Sequence, residues 1–206
     1  MFGDHIDDEA ALIERLRPFH IICLMRERTP LPARVIDALP NLQLIVTTAM
    51  WNAALDSRHA VTRGIVVCGT DSIQTGTPEL TWLLVLALAR RHEQETRSLR
   101  EGGWQTGVGM DLRRRTLGLM GLGNVGARVA KVAQAFGMTV LAWSHHLTDD
   151  RARAVGATRV DKGTLLAESD FVSLHLRLSD RTLGCIGRGE LRGMKPTALD
   201  ATSRRC

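Results

Sequence analysis

The chain is poor in the features that mark secreted, membrane-spanning or metal-built proteins. Its longest apolar run, Leu80–Ala89, is about half of the roughly 20 residues that a membrane-spanning helix needs. The stretch Met1–Leu16 is acidic and amphipathic, without the basic start and apolar centre of a secretion signal. Cys23, Cys68, Cys185 and Cys206 stand far apart, with no Cys-x-x-Cys and no Cys/His cluster, which argues against a zinc site and a disulfide framework. Cys23 and Cys68 lie inside apolar runs, where a free thiol is expected to pack as a small hydrophobe. These absences predict a soluble, cytoplasmic protein. Lysine is scarce too, limited to Lys131, Lys162 and Lys195. Basic residues nevertheless number 27 against 22 acidic ones, a net charge of +5. The only tight basic runs are Arg113–Arg115 and Arg204-Arg205, and the rest are interleaved with acids. Such a distribution reads as a solvated surface rather than a nucleic-acid face.

What is present fits an ordinary globular chain: 206 residues, 44% hydrophobic and 24% charged. No internal repeat or low-complexity segment interrupts it. Asp8–Leu16 reads as an amphipathic helix, His20–Met25 as a short buried strand, and Pro32 opens a helix through Leu39. Leu42–Thr47 and Ile65–Val67 are further strand-like runs. Strands alternating with helices predict an α/β fold with a parallel sheet covered on both faces. Gly69–Pro78 is a turn-rich joint, Glu79–Arg100 a long helix apolar nearly all round in its first half, and Trp104–Asp111 an irregular arm.

From Thr116 the pattern sharpens. Thr116–Gly121 reads as a strand, Gly121-Leu122-Gly123-Asn124-Val125-Gly126 as a G-x-G-x-x-G turn, and Asn124–Phe136 as a helix with Gly137 as its C′ residue. Thr139–Trp143, Phe171–Leu176 and Thr197–Ala201 read as strands, and Gly189–Gly193 as a short helix. A bare glycine motif is a weak signal. Set between a strand and a helix, with a second strand returning within about 30 residues, it predicts a dinucleotide site. Gly121 permits the tight turn, Gly123 the approach of backbone to pyrophosphate, and Gly126 close helix packing, while the Asn124 and Val125 N–H groups face the phosphates. An acid at the end of the second strand would select NAD. Here Ser144, His145 and His146 follow Trp143, a sequence that favours NADP over NAD. Two exposed loop histidines, or a metal pair, are the other readings of His145-His146. Asp149 and Asp150 are expected to cap the helix that follows.

The glycine turn, the flanking Thr116–Leu119 and Phe136–Met138, the helix Glu79–Arg90, the strand and loop Ser173–Leu176 with Leu178-Ser179, and Met194–Ala198 together resemble the D-isomer-specific 2-hydroxyacid dehydrogenase family. The resemblance spans nearly the whole chain in the family's order and spacing. It implies a flavodoxin-like substrate domain, residues 1–78, and a Rossmann cofactor domain, residues 79–206, both incomplete. It also implies NAD or NADP as cofactor, a 2-hydroxy or 2-oxo acid as substrate, hydride transfer as chemistry, and a homodimer. By the same resemblance His175 and Leu176 line the cofactor cleft. The turn containing Met50, Trp51 and Asn52 holds the substrate carboxylate through backbone N–H groups, with residues larger than the family usually places there. Thr202-Ser203-Arg204 matches the lead-in to the catalytic arginine, with Thr202 and Ser203 beside the cofactor.

The departures are concentrated at the end of the chain. Arg205 and Cys206 stand where a glycine follows the arginine, Asp200 stands in an apolar strand, and an ungapped reading selects Arg205 instead of Arg204. The family's catalytic glutamate and histidine come later in its order. A C-terminally truncated member, inactive by itself, is therefore the expectation; the alternatives are a non-catalytic dinucleotide-binding remnant or regulator and another Rossmann enzyme. The uncovered sheet and the apolar helix Leu80–Ala89 further predict marginal stability and self-association.

Overall fold

A computed structural model describes residues 3–71, 75–176, 179 and 181–202. The chain divides into two compact units, Met1–Ile73 and Gln74–Cys206. In the first, α1 (Glu9–Leu16), β1 (Ile21–Leu24), α2 (Ala33–Asp37), β2 (Leu44–Thr47), α3 (Ser57–Thr62) and β3 (Val66–Gly69) alternate. The three strands are parallel in the order β1-β2-β3. Right-handed crossovers that advance in one direction keep their helices on one face. Accordingly Leu12 and Leu16 of α1, Val35 and Ile36 of α2 and Ala60 of α3 share one core with Ile22, Leu24 and Ile45 of the sheet. The opposite face carries Ile21, Cys23, Val66 and Cys68, all exposed. This corrects two expectations. The sheet is covered on one face rather than both among the described residues, and Cys23 and Cys68 are surface thiols rather than core ones.

The second unit begins with α4 (Gly76–Ala89) and α5 (His92–Arg100). They replace the single helix expected over 79–100, because Arg91 adopts a left-handed conformation with φ 53° and breaks the hydrogen-bond ladder. There follow β4 (Thr116–Met120), α6 (Asn124–Ala135), β5 (Thr139–Trp143), α7 (Asp149–Arg153), β6 (Thr158–Arg159), α8 (Lys162–Glu168), β7 (Phe171–Leu174), α9 (Arg188–Arg192) and β8 (Leu199–Asp200). All pairings are parallel, in the order β6-β5-β4-β7-β8. The direction of travel reverses after β6, so the crossovers change face. Leu117 and Leu119 of β4 pack with Val129, Ala130 and Ala133 of α6 and with Trp82 and Val85 of α4. Met120 packs on the other face with Leu165 and Leu166 of α8.

Two local details position the site. Helix α6 ends as its sequence suggests, with Gly137 at φ 69° and its N–H donating to the Gln134 carbonyl. Helix α7 is capped by Thr148, whose hydroxyl accepts from the Arg151 N–H, and not by Asp149 or Asp150, which occupy its first turn.

Candidate functional site

In an open parallel sheet the crevice lies outside the carboxyl ends of the strands where their order reverses, here between β4 and β7. The glycine turn occupies that place. Gly121 has φ 106°, and a Cβ on it would stand 2.8 Å from the His175 carbonyl carbon and oxygen and 3.0 Å from the Leu176 nitrogen. A Cβ on Gly126 would lie 2.1 Å from the Gly121 oxygen. Glycine at both positions therefore lets the turn, the end of β7 and the start of α6 approach closely. Gly123 differs: it is the N-cap of α6 in extended conformation, and nothing lies within 4 Å of its Cβ position. No side chain caps this 12-residue helix. Its first N–H groups, including those of Asn124 and Val125, thus present donors and the positive end of the helix dipole to an open space. The open space at Gly123, which a Cβ would enter, leaves room for a dinucleotide pyrophosphate at the head of the helix.

Two further stretches meet the turn, and a third shares its edge of the sheet. The Gly121 N–H donates to the Trp143 carbonyl at 2.8 Å, which joins the end of β5 and hence Ser144 to the turn. The His175 N–H donates to the Met120 carbonyl at 2.8 Å, and Leu176 packs against the α8-side core. Thr202 follows β8, which pairs with β7, so it lies on the same carboxyl edge. Its N–H and hydroxyl both donate to the Asp200 carboxylate. Ser203 and Arg204 lie outside the described residues.

Sequence reasoning missed the charges around Trp143. Lys162, the first residue of α8, places Nζ 6.0 Å from the Trp143 ring centroid and 2.7 Å from Glu190 Oε1. Glu190 Oε2 also accepts from the Gly187 N–H at 2.9 Å. The Lys162 ammonium, with backbone donors, holds the Glu190 carboxyl down to about 2. His145 stands edge-on to Trp143 at 5.0 Å, and His146 lies 6.5 Å from His145. Lys162 and Glu190 are 28 residues apart, and a surface charge pair at that separation leaves no periodic signal. Among the described residues, no three His, Cys, Asp or Glu side chains gather as a metal site.

The loop after β2 belongs to the first unit. Met50 is 76% exposed and Trp51 49%. Asn52 is buried, and its side chain serves the loop: Nδ2 donates to the Arg26 carbonyl at 2.8 Å and Oδ1 accepts from the Ala54 N–H at 2.9 Å. Arg26 itself is left-handed at φ 55°. Gly69, closing β3, leaves room for the loop, since a Cβ there would stand 2.7 Å from the Ala49 oxygen and the Met50 Cα.

A parallel sheet whose order reverses at an open glycine turn defines the second unit as a Rossmann domain, a class built to hold a dinucleotide. The family model described as "D-isomer specific 2-hydroxyacid dehydrogenase, NAD binding domain" matches residues 82–200. The chain belongs to that family. It is 36% identical over 196 residues to a glyoxylate reductase of Korarchaeum cryptofilum, covering 91% of this chain and 58% of the relative. It is 36% identical over 191 residues to a D-3-phosphoglycerate dehydrogenase of Archaeoglobus fulgidus, covering 91% of this chain and 36% of that protein. The crystal structure of a phosphoglycerate oxidoreductase from Vibrio cholerae superposes with a TM-score of 0.90 at 37% identity, over 97% of this chain and 65% of that one. The chain thus spans less than two thirds of these relatives.

Proposed function

We propose that this chain forms the dinucleotide-binding part, with a portion of the substrate-binding part, of an oxidoreductase that interconverts a 2-hydroxy acid and a 2-oxo acid. The open Gly123 position at the head of an uncapped helix carries the reading. It is supported by family membership and by relatives named glyoxylate reductase and D-3-phosphoglycerate dehydrogenase. Residues 79–206 hold NAD or NADP, and residues 1–78 contribute the substrate loop at Met50, Trp51 and Asn52. When bound, the nicotinamide supplies or accepts the hydride at C2 of the substrate, with a proton moving to or from its oxygen. The Asn124 and Val125 N–H groups bind the pyrophosphate, and His175 and Leu176 line the cleft beyond the turn. Arg204 holds the substrate's carboxylate and carbonyl oxygen through its fork of donors. Ser144, in place of an acid, admits a 2′-phosphate, so NADP is preferred to NAD.

The complete enzyme is a homodimer in this reading. Its supports are the outward leucines of α4, with Leu83 61% exposed, and Trp104, 79% exposed on the arm after α5. Binding of NADP⁺ and NAD⁺ by calorimetry, with turnover of glyoxylate and hydroxypyruvate under both reduced cofactors, tests the proposal. Binding of at least one nucleotide is expected; a chain that binds neither overturns it.

A further inference from the structure

We propose that His145 and His146 decide between the 2′-phosphorylated and the unphosphorylated dinucleotide, and that the choice therefore follows pH. The inference rests on the dinucleotide site proposed above and deepens it. In a Rossmann domain the group that meets the ribose 2′ position lies about 20 residues beyond the glycine turn, at the end of the second strand. Here that strand is β5, tied to the turn by the Gly121–Trp143 hydrogen bond of 2.8 Å. Ser144, His145 and His146 follow it directly, with both histidines exposed. His145 is oriented by its edge contact with Trp143, and His146 lies 6.5 Å from it.

Most of the other charges around this corner are engaged, and the exception, the exposed Arg151 of α7, carries a charge that is constant over the pH range in question. On α8, Lys162 reaches over the Trp143 ring, but Glu190 beside α9 neutralises it at 2.7 Å. On α7, Asp149 pairs with Arg159 of β6 at 3.2 Å and Asp150 with Arg153 at 2.5 Å. No unpaired carboxylate among these groups repels a phosphate, and the cations, Arg151 included, keep their charge across the neutral range and so cannot make the choice follow pH. What is left is a pair of imidazoles, whose kind changes charge between about pH 5 and 8.

The sign follows from linkage. A bound 2′-phosphate favours the imidazolium, so an imidazole beside it titrates at higher pH in the complex than in the free chain. The extra affinity for NADP⁺ is then complete below the imidazole's free titration point and lost as pH rises through its bound one. A shift of about one unit corresponds to about tenfold in affinity. The phosphate's own second ionisation, near 6, leaves it mostly dianionic above that value.

Isothermal calorimetry on the whole chain, with NADP⁺ and NAD⁺ at about pH 6.5 and about pH 8.5, tests this. The ratio of the two dissociation constants is expected to move about tenfold toward NADP⁺ at the lower pH. In the His145→Gln, His146→Gln double variant the ratio should be the same at both. A wild-type ratio that does not change with pH overturns the inference while leaving the dinucleotide site standing. So does a move toward NADP⁺ at the lower pH that survives in the double variant, which would place the titrating group elsewhere. Failure of both nucleotides to bind overturns the site and the inference together.

Discussion

A methyl group added at Gly123 and one added at Gly126 have opposite expected effects, although both glycines belong to the same six-residue motif. At Gly126 the new carbon would stand 2.1 Å from the Gly121 oxygen, a backbone atom that cannot move without opening the turn. Gly126→Ala should cost about 1–3 kcal/mol and lower the melting temperature by several degrees. At Gly123 the carbon enters open space with φ −83°, an ordinary value for alanine. Gly123→Ala should leave melting nearly unchanged and weaken NAD(P)⁺ binding by about tenfold or more. Thermal melts paired with calorimetry separate the two, and equal loss of stability in both would sink the distinct roles. Their spacing, set between a strand and a helix, made these glycines legible. Asn52 was legible only in part: as a turn residue it was expected in the substrate loop, but its side chain staples Arg26 to Ala54. Nothing in the sequence marks Arg26 as left-handed, since that conformation usually calls for glycine or asparagine.

Short, charged elements were the hardest to read, and two of them, β6 and α8, lie beside β5. β4, α6 and β5 stood out because apolar runs are punctuated by glycine. The seven-residue α8 and the two-residue β6 carry too few apolar positions to show a period. The break between α4 and α5 falls at Arg90-Arg91, with no glycine or proline to announce it. The link from α8 to α9 is electrostatic, so it has a pH dependence. Glu190 ordinarily titrates at 4.5 and is held at about 2 in the fold. Its contribution is present above the unfolded value and is lost as pH falls through the folded one. The melting-temperature difference between the native chain and Glu190→Gln should be constant above 4.5 and narrow as pH falls toward about 2. A difference that stays level across that window would show that Lys162 does not stabilise the carboxylate.

Exposed apolar surface is the property that only the three-dimensional structure makes explicit for the molecule as a whole. Leu83 on α4 and Trp104 on the arm are exposed, and aromatic side chains such as that of Trp104 are enriched at interfaces between subunits. If the chain self-associates through them, light scattering should report a dimer for the native chain and a monomer for Leu83→Arg or Trp104→Ser. A dimer unchanged by either variant would move the interface elsewhere. The first unit presents a different surface. Its run Ile21–Met25 is apolar throughout, which reads as burial on both faces, yet the strand alternates exposed and buried. Ile21 and Val66 are each 57% exposed, and Cys23 and Cys68 flank Val46 on the same rung of the sheet. Neighbouring strands stand about 4.8 Å apart, so these two thiols are separated by about 10 Å, too far for a disulfide without backbone movement. Parallel sheets are rarely left bare on one side, so the accessibility of these thiols reports whether the face is open in solution. A thiol reagent followed by peptide mass spectrometry should modify Cys23 and Cys68 in the native chain nearly as fast as in denaturant. The half-buried Cys185 should lag. Protection of Cys23 and Cys68 at low protein concentration would mean that the sheet face is covered within a single chain. Protection that appears only at high concentration would mean that a second copy covers it.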